Sequence, residues 1–94
     1  MTNNEVEKIF IEILESTPGV RLILEDGTTD NIADFNVHES DKDTWNFNAS
    51  IKILKNTSAK ELVKNISNLL KYRLVKKGQK VGKINLFIGE LIND

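Results

Sequence analysis

Residues 45–91 constrain the fold most strongly, because they combine two strand patterns with one long amphipathic helix. Trp45, Phe47, Ala49, Ile51 and Ile53 alternate with polar residues, which is the period of two of a half-buried strand. In the next part of the chain, the apolar residues have helical spacing instead. They are Ala59, Leu62, Val63, Ile66, Leu69, Leu70 and Leu74. Residues 81–91 return to alternation, so the unit predicts a strand, a helix and a second strand.

An N-terminal helix and two short strands are predicted before this unit. The helix has one apolar stripe, formed by Val6, Ile9, Phe10, Ile13 and Leu14. Pro18 ends it, and Gly19 can adopt the positive φ that its exit needs. Strands are predicted over residues 20–24 and 32–38, the second with Ala33, Phe35 and Val37 on one face, and a polar hairpin loop over residues 39–44.

Cap signals bound both predicted helices. For the first helix, Thr2 or Asn4 can form a capping box with Glu5 or Glu7. For the second helix, the signals are a capping box of Ser58 with Glu61 and a left-handed cap at Gly78.

The predicted fold class is α+β, in a single domain over residues 1–94, with the order helix-strand-strand-strand-helix-strand. The first three strands can form an antiparallel meander. The second helix crosses back over the sheet, so the last strand is expected to pair in parallel with the third. Each helix has one apolar stripe, and we therefore expect both helices to pack on one face of a mixed sheet.

Composition excludes several classes of chemistry and divides the charge between the two halves. The chain has no cysteine, which excludes disulfides and thiolate sites, and neither a secretory signal nor a membrane-spanning apolar run is seen. A cytoplasmic location is expected. Residues 1–45 contain eleven acidic and three basic residues, whereas residues 46–94 contain ten basic and three acidic ones. Opposite charges could attract two copies head to tail, the basic half could bind an anionic partner, or both could be solvated faces.

No residue pattern predicts catalysis, a cofactor or a metal. His38 with Glu39, Asp41 and Asp43 is the best candidate for a metal site, but a solvated acidic loop explains the same residues. There is no second histidine for a triad. Residues 78–83 lack the spacing of a phosphate loop and lie before a strand rather than a helix.

Basic residues crowd the second helix and its exit, which predicts a surface for an anionic partner. The candidate residues are Lys60, Lys64, Lys71, Arg73, Lys76, Lys77 and Lys80. The order helix-strand-strand-helix-strand also resembles the KH domain, which binds RNA. That domain clamps the RNA backbone with Gly-x-x-Gly between two helices, whereas Gly78 and Gly82 follow a single helix with different spacing. Although this clamp is missing, the element order and the basic helix keep a KH-like RNA- or ribosome-associated module as the alternative function.

Two segments support a different resemblance. Pro-Gly-Val at residues 18–20 follows the amphipathic first helix, and residues 84–91 read Ile-Asn-Leu-Phe-Ile-Gly-Glu-Leu. The chain thereby resembles the alkaline-shock-protein family of envelope stress response proteins, in which a strand-helix-strand unit ends on a segment of the form Val-Asn-Val-x-Val. The resemblance covers residues 5–24 and 47–91. Leu54-Lys55-Asn56 departs from the tyrosine-glycine pair usual in the family, and residues 28–44 have no counterpart.

The resemblance implies a non-enzymatic cytoplasmic protein without cofactors. Members of that family self-associate, and a membrane-anchored protein partner recruits them to the inner face of the membrane, where they help cells tolerate envelope stress. The family has no catalytic residues that could be transferred to this chain.

Overall fold

The computed structural model describes the backbone of residues 1–23 and 34–92 and the side chains of residues 1–23 and 34–89. It has the predicted order of two helices and four strands. These elements are α1 (Asn3–Ser16), β1 (Val20–Leu22), β2 (Asn36–Asp41), β3 (Thr44–Leu54), α2 (Ala59–Val75) and β4 (Lys80–Ile92). The predicted strand residues 24, 32 and 33 lie outside the described residues. The α+β class is confirmed.

β3 is the centre of a mixed sheet. It pairs in parallel with β4 from Thr44 to Leu54, as predicted for a strand that follows a crossover helix. β1 and β2 both pair with β3 in antiparallel fashion. Because β4 occupies one edge of β3 along its whole length, β1 and β2 share the other edge, one after the other.

The predicted meander of the first three strands is wrong. A meander requires β1 to pair with β2, whereas among the described residues each of these strands pairs with β3 and not with the other. β3 has 11 residues, while β1 has 3 and β2 has 6. One edge of β3 is therefore long enough for both short strands in tandem, while β4 pairs with its other edge.

The loop predicted over residues 39–44 is also wrong, because β2 and β3 continue into it. Asp41 pairs with Thr44, so only Lys42 and Asp43 form the turn. Asp43 adopts a φ of +61°, a conformation that aspartate tolerates better than most residues. Its amide donates to Glu39 Oε2 at 2.8 Å, and this bond holds the turn closed.

The structure confirms the predicted capping box of α1, whereas at α2 the described contacts include only the Ser58 half of the predicted box. Thr2 and Glu5 form the capping box of α1, and Ser58 Oγ accepts from the amide of Glu61 at 3.4 Å. Gly19 and Gly78 have φ values of +87° and +72° at the exits of α1 and α2. Both helices are therefore bounded by local chemistry that the sequence specifies.

In the described part of the chain, one hydrophobic cluster joins both helices to the sheet. It contains the whole predicted stripe of α1 and the odd-numbered residues 45–53 of β3. The predicted stripe of α2 is buried only at Leu62, Ile66, Leu70 and Leu74, while Leu69 is 43% exposed. The shared cluster is consistent with both helices packing on one face of the sheet.

Phe10 and Trp45 connect the layers of this cluster. The Phe10 ring lies 5.6 Å from that of Phe35 and 5.0 Å from that of Phe47, measured between centroids. Trp45 Nε1 donates to Gln79 Oε1 at 2.8 Å, and both side chains are buried. That hydrogen bond ties the beginning of β3 to the exit of α2.

Candidate interaction surface

Lys60, Lys64 and Lys71 lie on one side of α2. At about 100° per residue, the three side chains project within about 40° of one another around the helix axis. All three are exposed and have no ion-pair partner among the described residues. These three residues form what we call the lysine flank.

The lysine flank points away from α1. Arg73 marks the opposite side of α2, because its Nη2 donates to Glu12 Oε2 of α1 at 3.1 Å. The three lysines lie roughly 140° to 180° around the helix from Arg73. α1 contacts β1 and β2, whereas α2 contacts α1 and β4. The lysine flank therefore faces the side of the molecule on which β4 forms the edge of the sheet.

The other predicted basic residues do not join this flank. Arg73 pairs with Glu12, and Lys76 Nζ lies 4.1 Å from the centroid of the Tyr72 ring. Lys77 lines a shallow groove with residues of α1. Lys80 begins β4, where its amide donates to Asp43 O at 2.7 Å. The structure thus divides the predicted basic surface into a flank of three lysines and four cations placed elsewhere.

The edge strand β4 exposes one large apolar side chain on each face of the sheet. Phe87 is 54% exposed and Ile88 is 39% exposed. The register with β3 shifts at two places in β4, next to Gly82 and next to Gly89. Between them, residues 84–88 pair regularly with β3 and contain no charged residue.

Asn46 explains the first register shift. Its Oδ1 accepts from the amide of Lys83 at 2.8 Å. A Cβ at position 82 would collide with this same oxygen, so a larger residue there would displace Asn46 from its hydrogen bond to Lys83. Asn46 of β3 thereby stabilises the register shift in β4.

The opposite edge of the sheet differs, because β2 has several features that hinder pairing with a further strand. This strand is short, its register shifts between Glu39 and Asp41, and both of these residues are charged. Asn3 Nδ2 of α1 also donates to Val37 O at 3.0 Å. Short length, charge and irregularity are the means by which edge strands avoid further pairing.

The structure does not gather His38 and the acidic residues near it into a metal site. His38 Nδ1 lies 2.9 Å from Asn36 Oδ1, and its Nε2 lies 3.4 Å from Asn46 Nδ2. Glu39 binds the turn amide instead. Within residues 1–23 and 34–89, no three His, Asp or Glu side chains form a group that could hold a metal ion.

Sequence reasoning did not identify the β4 edge as a candidate surface. The uncharged run at residues 84–89 was visible in the sequence, but alternation alone does not distinguish an edge strand from a central one. The strand order decides this, and the strand order depends on tertiary pairing.

Comparisons with known proteins do not place the chain in a family. No family model, no curated protein and no solved structure matches it. In the part of the chain that the structure describes, neither helix is long and apolar enough to cross a membrane.

Proposed function

We propose that this protein is a non-enzymatic interaction module of the alkaline-shock type, which self-associates and is recruited by a protein partner. It acts in the cytoplasm, at the inner face of the membrane when a membrane-anchored partner holds it there. The proposal combines the resemblance in residues 5–24 and 47–91 with one observation, which is the separation of charge across the molecule. α1 carries exposed acidic residues over one edge of the sheet, and the lysine flank of α2 accompanies the other edge.

This separation of charge favours head-to-tail association. The exposed acidic residues of α1 include Glu5 and Glu15, whereas Glu12 pairs with Arg73 of α2. Because α1 lies over β1 and β2 while α2 lies over β4, the acidic and basic sides face in different directions on one copy. Two copies can therefore bring opposite charges together without bringing like charges together. Such contacts weaken as salt screens them, since the Debye length falls from about 8 Å at 0.15 M to about 3 Å at 1 M.

Light scattering across protein concentration, at low and high salt, tests self-association. We expect the average mass to rise with concentration at low salt and to fall towards the monomer at high salt. The variant Lys60→Glu/Lys64→Glu should stay monomeric. The control Lys55→Glu/Lys76→Glu has the same net charge but lies off the flank, and it should assemble like the wild type.

The same experiment with total cellular RNA separates this proposal from the KH-like alternative. RNA binding weakens steeply with salt because bound phosphates release counterions. A protein that is monomeric at every concentration, and changes mass only when RNA is added, would overturn self-association and support the KH-like alternative. Assembly that ignores RNA supports the proposal.

A further inference from the structure

β4 is an edge strand whose regular part, between its two register shifts, lacks the charge and irregularity found on β2. It has 13 residues, more than twice the length of β2. Its regular part, residues 84–88, has no charge and no proline. Among the described residues, no strand pairs with its outer edge. Within the described part of the chain, its outward backbone amides and carbonyls therefore have no strand partner and can pair with another extended chain.

The lysine flank provides charge beside this edge. An added strand would lie about 4.8 Å beyond β4, on the side to which the flank projects. Lys60 and Lys64 are separated by about 6 Å along the helix axis. Alternate residues of an extended chain repeat every 6.6 Å or so, which is close enough for two acidic side chains to contact the two lysines.

We propose that the outer edge of β4 binds an extended acidic segment of a partner protein as an additional strand. Backbone hydrogen bonds to residues 84–88 supply the pairing, and acidic side chains on the helical side contact Lys60, Lys64 and Lys71. The intervening side chains of the segment point to the other face, next to Phe87, which is exposed there. The recognised pattern is therefore acidic residues alternating with apolar ones. The inference rests on the proposed function, because it names the chemistry of the recruited partner.

Charge favours such a segment over a second copy of β4. Antiparallel pairing of two β4 edges about a two-fold axis would bring the lysine flank of each copy towards that of the other. Like charges brought together at an interface oppose association. The two edges β2 and β4 do not form a matching pair either, since Asn3 binds the backbone of β2. An acidic chain gains electrostatic attraction in the place where a second β4 would meet repulsion.

A labelled synthetic peptide of nine residues with alternating Glu and Val tests the proposal. Its affinity is measured by fluorescence anisotropy at low salt, against a Lys/Val peptide of the same pattern. We expect the acidic peptide to bind and the basic peptide not to bind. The variant Lys60→Glu/Lys64→Glu should weaken binding at least tenfold, while the control Lys55→Glu/Lys76→Glu should change it less than twofold. These side chains are all exposed, so the variants should fold.

Two further measurements establish that the contact is strand addition. N-methylation of alternate peptide amides, on the edge that faces β4, removes the donors and should abolish binding without changing charge. Amide hydrogen exchange should show new protection within residues 84–88 when the unmodified peptide binds. Equal binding of the N-methylated peptide, or protection confined to α2, would mean attraction to the helix alone and would overturn the proposal.

The outcomes also distinguish this inference from the proposed function. Failure of the acidic peptide to bind overturns strand addition, whereas salt-sensitive assembly in light scattering would still support the interaction module. Protection of residues 84–88 that appears without peptide, as the protein concentration rises, would assign the β4 edge to a second copy and overturn the inference. If the protein is monomeric and binds the peptide, self-association is rejected, whereas strand addition at the β4 edge is still supported.

Discussion

At Gly19, backbone conformation and packing both disfavour a side chain. Its φ is +87°, and its carbonyl accepts from the amide of Leu54 at 3.0 Å, which joins the exit of α1 to the end of β3. A Cβ built at this position would lie 2.8 Å from Thr57 Oγ1 and 3.2 Å from Thr57 Cγ2. We predict that Gly19→Ala destabilises the protein through two separate terms.

The magnitude follows from these terms. A left-handed conformation costs an alanine about 1–2 kcal/mol relative to glycine. Moving Thr57 out of its rotamer adds about 0.5–1.5 kcal/mol. The loss of chain entropy in the unfolded state returns about 0.4–1 kcal/mol. The expected decrease in the free energy of unfolding is therefore about 2 kcal/mol.

Gly78 provides the matched control, because its φ is +72° but no atom lies within 4 Å of a Cβ built there. Gly78→Ala should cost only about 1 kcal/mol, from the backbone term less the entropy term. Urea denaturation of both variants, followed by circular dichroism, measures the difference. Thr57→Ala in the Gly19→Ala background should recover about 1 kcal/mol in a double-mutant cycle. Equal costs at the two glycines, or no recovery, would refute the steric argument.

Three further predictions concern the core and the contact between the helices. Trp45→Phe leaves Gln79 Oε1 buried without its donor and also removes ring volume. The free energy of unfolding, measured by urea titration, should therefore fall by about 2–3 kcal/mol. A loss below about 0.5 kcal/mol would contradict this. Phe10→Ala empties a site that is 0% exposed and should cost about 3–5 kcal/mol, measured by thermal unfolding. Glu12→Gln removes the ion pair between Glu12, whose side chain is 50% exposed, and Arg73, whose side chain is 40% exposed. The free energy of unfolding should therefore fall by less than about 1 kcal/mol at low salt and by nothing measurable at 1 M salt.

Local chemistry explains why much of the fold could be predicted. The capping box of Thr2 and Glu5, the left-handed glycines and the helical stripe of α1 each involve residues close together in sequence, so their patterns are visible without tertiary contacts. The alternation in β3 is equally direct, since the period of two reports which side chains point to the core. These features determine the class and the element order.

Tertiary pairing decided the features that sequence reasoning missed. Strands 20–22 and 36–41 carry no signal that tells whether they pair with each other or with β3, because a short strand can complete its hydrogen bonds with either neighbour. The length of β3 resolves this in favour of tandem pairing. The basic residues show both kinds of information. Helical spacing groups Lys60, Lys64 and Lys71 and places Arg73 on the opposite side of α2. Only the packing of α1 brings Glu12 to Arg73.

The sequence by itself therefore determined the helices, the strand periodicity and the division of charge, because each depends on residues near one another in the chain. The tertiary structure alone decided that β4 is an edge, that the lysine flank accompanies it and that α1 covers the other side. These are relations between segments far apart in sequence, and they arise from hydrogen bonding and packing that no local pattern encodes. The candidate interaction surface belongs to this second group, since it consists of a helix side and a strand edge that only folding brings together.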